Sequence, residues 1–266
     1  MSDYNWREIT GTWVLLPDDE PVGIVHFIGG AFLAAAPHIV YRWLLERFGD
    51  RGYLVVATPI LNGSFDHARL AGQALDRFET VLDSLDRRGW LDVSDLPPVY
   101  GLGHSLGCKL QILIGSLYRV ERAGNILISF NNFSAQRAIP LFDRLTPALT
   151  SVDRSARQWI DNLSQSLGSL VEDLSSGRFD RDRAVPRLSD LLPNPEAEFS
   201  PSPSETESLI AQQYTIEQNL LIKFSDDSLD QSLRLGQLLS DRFPDGMTLH
   251  RCLLYTSPSP RDRTRS

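Results

Sequence analysis

Apolar residues along this chain fall in short unbroken runs, separated by longer amphipathic stretches. Trp13–Leu16, Val22–Ile28, Tyr53–Thr58, Val99–Gly103 and Asn125–Phe130 are five such runs. Most are continuous rather than alternating, as in strands buried on both faces of a parallel sheet. Between them, residues 37–49, 67–89 and 107–122 carry helical spacing, and Asp66 is placed to cap the second of these helices. Further on, Leu220–Phe224 reads as a strand, Leu229–Phe243 as an amphipathic helix and Met247–Arg251 as a last strand. Strands alternating with helices predict an α/β protein with a doubly wound, mostly parallel sheet.

The texture changes near Ser134. From there to about Tyr214 the chain is polar, helical in pattern and broken by prolines, with no strand-like run. The expected organisation is a core of residues 1–134 and 215–251, with 135–214 inserted as a helical cap. Such insertions gate a catalytic site in some proteins and are bystanders in others. Pro193–Glu207, rich in proline, serine and glutamate, is expected to be a loop.

Composition narrows the class. The chain has 266 residues, 42% hydrophobic and 23% charged, with a net charge of −8. That supports a globule with a real core. With no basic stripe to neutralise phosphates, no nucleic-acid partner is expected, and charge disfavours docking on anionic lipid. Two cysteines, Cys108 and Cys252, make no disulfide framework, so a reducing, cytoplasmic setting is expected. Cys108 reads as a small buried hydrophobe. The N-terminus has no signal-peptide pattern, and the most apolar stretch, Val22–Pro37, is too short and glycine-broken to span a bilayer.

The sharpest chemistry is Gly103-His104-Ser105-Leu106-Gly107, a G-x-S-x-G between a strand-like and a helix-like run. This is the setting of a nucleophile elbow, which holds a serine out of the strand on a sharp turn. The following helix points its first N–H groups at the place where an oxyanion would form. Without catalysis, the same glycines would simply make a tight strand-to-helix turn.

Several blocks together resemble one family. They are Val25–Phe32, Tyr41–Glu46, Ala57-Thr58-Pro59, the elbow from Gly103 to Leu113, Asn125–Ser134 with its distinctive Phe130-Asn131-Asn132, and Leu221–Asp227. They are similar to the domain-of-unknown-function family numbered 1350, found in cyanobacteria and plastid-bearing eukaryotes, over about residues 10 to 251. That resemblance implies an α/β-hydrolase-like fold and leaves the substrate open; on such a fold the 135–214 insertion would be the helical cap. The end of the chain is different in kind. Residues 252–266 resemble translated sequencing-adapter DNA and are rich in serine, proline and arginine. The native sequence is therefore expected to end near Arg251.

A serine nucleophile needs an oxyanion hole, an orienting acid and a base. The first oxyanion donor is expected to be the N–H of Leu106. The second is expected from Gly29-Gly30-Ala31, which resembles the glycine-rich oxyanion loop of esterases, through Gly30 or Ala31. The acid should follow the penultimate strand, where Asp226, Asp227 and Asp230 stand. Asp227 is the first choice and Asp226 the second, and one of the three is expected to cap the next helix. None of the five histidines fits the base. His26 lies within a strand, His38 and His67 near helix starts, His104 inside the elbow and pointing away, and His250 too early and buried in the last strand. The family's histidine would be expected just beyond Arg251, so this polypeptide is expected to lack its base and to be nearly inactive.

The expected function is a serine hydrolase that cleaves an ester or thioester through an acyl-enzyme, acting on a small acyl ester or lipid-like substrate. No cofactor and no metal site are expected. The alternative is a non-catalytic lipid- or pigment-binding protein on the same fold. A haloperoxidase- or lyase-type variant is a weaker third. Oligomeric state is not legible in the sequence.

Overall fold

A computed structural model describes residues 4–31, 36–60, 64–138, 198–225, 227 and 229–252. Asp226, most of the expected cap (139–197) and residues 253–266 lie outside the described residues.

In chain order the elements are β1 Trp6–Ile9, β2 Thr12–Leu15, β3 Gly23–Ile28, α1 Pro37–Val40, α2 Arg42–Gly49, β4 Tyr53–Thr58, α3 His67–Arg87, β5 Val99–His104, α4 Leu106–Leu117, β6 Gly124–Ile128, α5 Pro203–Gln212, β7 Asn219–Phe224, α6 Ser232–Arg242 and β8 Met247–Cys252. One sheet of eight strands runs β1-β2-β4-β3-β5-β6-β7-β8. β1 pairs antiparallel with β2 and β2 with β4, and every later pairing is parallel.

The continuous apolar runs behave as their pattern requires. All six residues of β3 are buried, and so are five of six in β4. α4 is apolar nearly all round, with Gly107 through Ser116 buried, the character of a helix enclosed by core. Of its three buried polar residues, Ser116 donates within the helix to the Ile112 carbonyl and the other two donate across the fold. Lys109 Nζ donates to the Pro201 carbonyl at 2.9 Å and Gln111 Nε2 to the His26 carbonyl at 2.8 Å. Asp66 caps α3 as its position suggested, accepting from the Arg69 N–H.

Four features depart from the sequence pattern. The edge strand β1 is missed because Arg7 and Glu8 expose their side chains and break the apolar run. Helix 37–49 is two helices, interrupted at Tyr41 (φ −104°, ψ 14°). Pro203–Glu207 is not loop. It opens α5, where Ser202 and Glu205 form a capping box behind Pro203. Finally, the described residues within Met1–Asn132 and Ser200–Ser266 form one compact unit and those within Phe133–Phe199 another, so residues 200–214 belong with the core. Ile210 and Tyr214 pack in an apolar cluster with Ile112, Leu127 and Leu221. The Tyr214 hydroxyl accepts from Asn125 Nδ2 and donates to Asn219 Oδ1, each at 2.7 Å.

Gly236 is buried in the interior of α6, yet a Cβ there would meet Leu221 Cδ1 at 3.4 Å, Met247 Cε at 3.7 Å and Met247 Sδ at 3.9 Å. Those are ordinary contacts, and alanine loses less backbone entropy on folding than glycine. Gly236→Ala is expected to stabilise the protein by up to about 1 kcal/mol, raising the melting temperature by roughly 2–4 °C in a thermal denaturation.

Candidate active site

β5 ends at His104 and the chain reverses at Ser105 into α4. Ser105 sits at φ 55°, ψ −117°, a conformation that side chains with a Cβ rarely adopt and that persists only where the surroundings impose it. Here they do. The Ser105 N–H donates to the Ile128 carbonyl of β6 at 3.0 Å, and the Ser105 carbonyl accepts from the Cys108 N–H at 3.0 Å. The motif's glycines are needed for close approach. A Cβ on Gly103 would lie 2.7 Å from the Cys108 backbone, and one on Gly107 would lie 1.9 Å from the Ile28 carbonyl oxygen.

The Gly29-Gly30-Ala31 loop passes beside the serine. A Cβ on Gly30 would stand 3.2 Å from Ser105 Cβ and 3.1 Å from His104 Nδ1. The Gly30 N–H is already engaged, donating to the Tyr41 hydroxyl at 3.0 Å, and that hydroxyl lies 2.9 Å from His104 Nδ1. Burial lowers His104 to about 4, against the opposing charge of Asp227. The ring is therefore neutral, and its Nδ1 shares a hydrogen bond with the Tyr41 hydroxyl. His104 turns towards this loop rather than towards the Ser105 hydroxyl. Among the described residues, nothing accepts from the N–H of Leu106 or of Ala31.

The carboxylates separate by role. Asp227 Oδ1 accepts from the Leu229 N–H at 2.9 Å, and the Asp227 charge reaches His104. Asp230 has a fully buried side chain. Its Oδ1 accepts from the N–H of Ser232 at the start of α6 (2.6 Å), and its Oδ2 faces Lys223 Nζ at 3.8 Å. Asp230 is thus the carboxylate that serves the next helix.

All five histidines are described, and none bonds to Ser105. His26 is fully buried, with Nε2 on Thr58 and Nδ1 on Arg122. His38 stacks on Trp13 at 3.5 Å. His67 is buried at the start of α3, with burial lowering it to about 3. His250 is exposed, not buried as its apolar surroundings suggested, because β8 is the last strand of the sheet. Cys108 is buried, and burial pushes its thiol well above the usual thiol range.

The group on the serine is one that the motif analysis did not assign. Asn131 Nδ2 donates to Ser105 Oγ at 2.8 Å. The signal was the Phe130-Asn131-Asn132 block, whose place just after β6 puts it at the strand ends beside the elbow. A shallow groove of about 480 Å³, lined by Ala68, Leu117, Ser204, Glu205 and neighbours, contains none of these residues. Among the described residues, no group of three or more His, Cys, Asp or Glu side chains could hold a metal, and no helix is long and apolar enough to cross a membrane.

Sheet order and elbow together define the α/β-hydrolase fold. Solved structures agree. Esterase B from Lactobacillus rhamnosis, inhibited by a tributyrin phosphonate, is 15% identical, with a TM-score of 0.54 over 94% of this chain and 74% of that one. MenH from Staphylococcus aureus is 14% identical, with a TM-score of 0.51 over 91% and 89%. The fluorophosphonate-binding serine hydrolase F of the same organism is 12% identical, with a TM-score of 0.50 over 92% and 88%. At these identities the likeness is one of fold. No curated protein matches the chain in sequence. The chain belongs to the DUF1350 family, described as a protein of unknown function, whose profile matches residues 5–257.

Proposed function

We propose that this protein is a serine hydrolase that cleaves an ester or thioester through an acyl-enzyme on Ser105. The observation that carries the reading is the strained Ser105 backbone, held at the head of a buried helix beside a glycine loop. Backbone strain of this kind is retained where it serves a site. Ser105 Oγ attacks the acyl carbon and the carbonyl electrons move onto oxygen. The N–H groups of Leu106 and Ala31 receive that oxyanion, while Gly30, its own N–H on Tyr41, shapes the loop. The alcohol or thiol leaves with the proton that Ser105 gives up, and water then hydrolyses the acyl-enzyme, its hydroxyl going to the acyl group and its other proton back to Oγ. Asp227 is the orienting acid, with Asp226 beside it in sequence, and the substrate is a small acyl ester or a lipid-like one. With no histidine on Ser105, this polypeptide turns over slowly, since a triad lacking one member keeps only a residual fraction of its rate.

The occupancy of Ser105 Oγ by an amide rather than an imidazole favours a second reading, a non-catalytic binder of an acyl lipid or pigment. A fluorophosphonate probe separates the two. Covalent labelling that maps to Ser105 and vanishes in Ser105→Ala is the expected result. Tight lipid binding without labelling would replace the hydrolase reading with the binder.

A further inference from the structure

We infer that Asn131 is a catalytic residue that speeds release of the acyl group rather than its capture, a role that rests on Ser105 being acylated. Its amide touches the reacting atom, with Nδ2 donating to Ser105 Oγ at 2.8 Å. The residues on both sides of Asn131 are held in place. The Phe130 N–H donates to Ser232 Oγ and the Phe130 carbonyl accepts from the Gln231 N–H. Next to it, the Asn132 N–H donates to Gln231 Oε1, and Asn132 Nδ2 donates to the Pro203 carbonyl. Two residues earlier, Ser129 adopts φ 51° at the end of β6. Asn131 thus projects from a loop clamped to the β7–α6 connection and to α5.

The kinetic consequence follows from how well Oγ accepts a hydrogen bond at each stage. In the free protein Oγ is a hydroxyl oxygen, a good acceptor, and the bond to Asn131 is present. While the C–Oγ bond is forming or breaking, Oγ carries partial negative charge and accepts at least as well. In the acyl-enzyme Oγ is an ester oxygen, a poor acceptor, and the bond is largely lost. Acylation therefore starts and passes its barrier with the bond in place and gains little from it. Deacylation starts without the bond and regains it at the barrier. There water adds to the acyl carbon, the C–Oγ electron pair returns to oxygen, and a proton from the attacking water restores the hydroxyl. Only interactions stronger in the transition state than in the preceding ground state accelerate a step.

The test uses the full chain and p-nitrophenyl butyrate, whose leaving group departs without protonation, so that deacylation limits turnover. Labelling of the parent protein by a fluorophosphonate is measured first. If Ser105 does not react, the hydrolase reading fails and this inference falls with it. With Ser105 reactive, Asn131→Leu and Asn131→Ser are compared with the parent, using whichever variant melts within a few degrees of it. The expected result is a fall in kcat of about ten- to a hundredfold, the range of one charge-assisted hydrogen bond. KM falls by the same factor, kcat/KM stays within about threefold, and butyryl-Ser105 accumulates in the intact mass. A loss of kcat/KM as large as the loss of kcat, with no accumulated acyl-enzyme, would overturn the role of Asn131 while leaving Ser105 as nucleophile. The unmutated chain gives an independent check by nuclear magnetic resonance. The Asn131 side-chain N–H resonance moves upfield when Ser105 is acylated, and an unmoved resonance overturns the inference.

Discussion

Gly107→Ala is expected to prevent the chain from reaching its native state. A Cβ at this position would sit 1.9 Å from the Ile28 carbonyl oxygen, 2.6 Å from the Ile28 carbonyl carbon and 2.8 Å from the Gly29 carbonyl oxygen. All three are backbone atoms, two of them at the end of a fully buried central strand and one in the loop that leads from it. No rotamer change relieves the clash, so α4 would have to lift from β3 and pull apart an apolar cluster in which Leu110, Leu113 and Ile114 meet Ile24 and Ile28. The cost is more than about 4 kcal/mol, the range reached by severe core disruption and comparable to a domain's whole stability. The measurement is soluble yield and near-ultraviolet circular dichroism, with Gly236→Ala as the benign glycine control. The same crowding at Gly103 means that both glycines of the motif are demanded by packing, whether or not Ser105 reacts. The motif's spelling therefore says more about the fold than about the reaction, and the hydrolase reading rests on the Ser105 backbone instead.

Acid is expected to begin destabilising the protein well above the range where its carboxylates protonate. Three buried histidines are held neutral. His26 is lowered by burial and then by Arg122, His67 is lowered by burial and then by Lys109 to about 3, and His104 is lowered by burial to about 4. In the unfolded chain each would titrate near its ordinary value of about 6.5. Between the folded and unfolded values the unfolded state binds more protons, so stability falls as pH falls. The loss begins just below the unfolded value and continues down to the folded one. Each histidine contributes about 1.4 kcal/mol per pH unit, and three together about 4 kcal/mol per pH unit below pH 6. A domain of ordinary stability is consumed within about two pH units. His38, also lowered to about 4 by burial, adds a smaller part because it is only partly enclosed. Glu79, which burial and then its acidic neighbours Asp76 and Asp83 raise, acts in the opposite sense, but only nearer the carboxylate range. Urea midpoints from pH 7.5 to 5 measure the slope directly, and His67→Gln is expected to flatten it by about a third. A flat profile would mean that these rings take up protons as readily in the folded state as in the unfolded one.

The chain's own order determined the sheet and the elbow. Val22–Ile28, Tyr53–Thr58 and Val99–Gly103 are strands because continuous apolar runs can be satisfied only by burial on both faces, and that information is local. Asp66 at the head of α3 and the glycines around Ser105 are local in the same way, since caps and tight turns are set by the residues that make them. The edge strand β1 and the break at Tyr41 escaped because exposed charges blur the apolar run in one, and in the other the helical spacing continues through a kink set by packing.

What surrounds the serine was decided by tertiary structure alone. Asn131 is 26 residues from Ser105 in sequence and meets it because β6 lies next to β5. The Gly30 N–H is taken by Tyr41, whose hydroxyl also meets His104 across 63 residues. Asp227 and Asp230 look alike in sequence. They differ because one carboxylate lies within electrostatic reach of His104, while the other is buried against Lys223 at the start of a helix. Residues 200–214 share the polar, proline-broken texture of the insertion, yet join the core because Ile210 and Tyr214 pack against apolar residues of α4, β6 and β7. Periodicity and turn chemistry act over a few residues and are written in the chain. Which side chains share a site depends on strand order and on the packing of distant segments, which only the folded structure fixes.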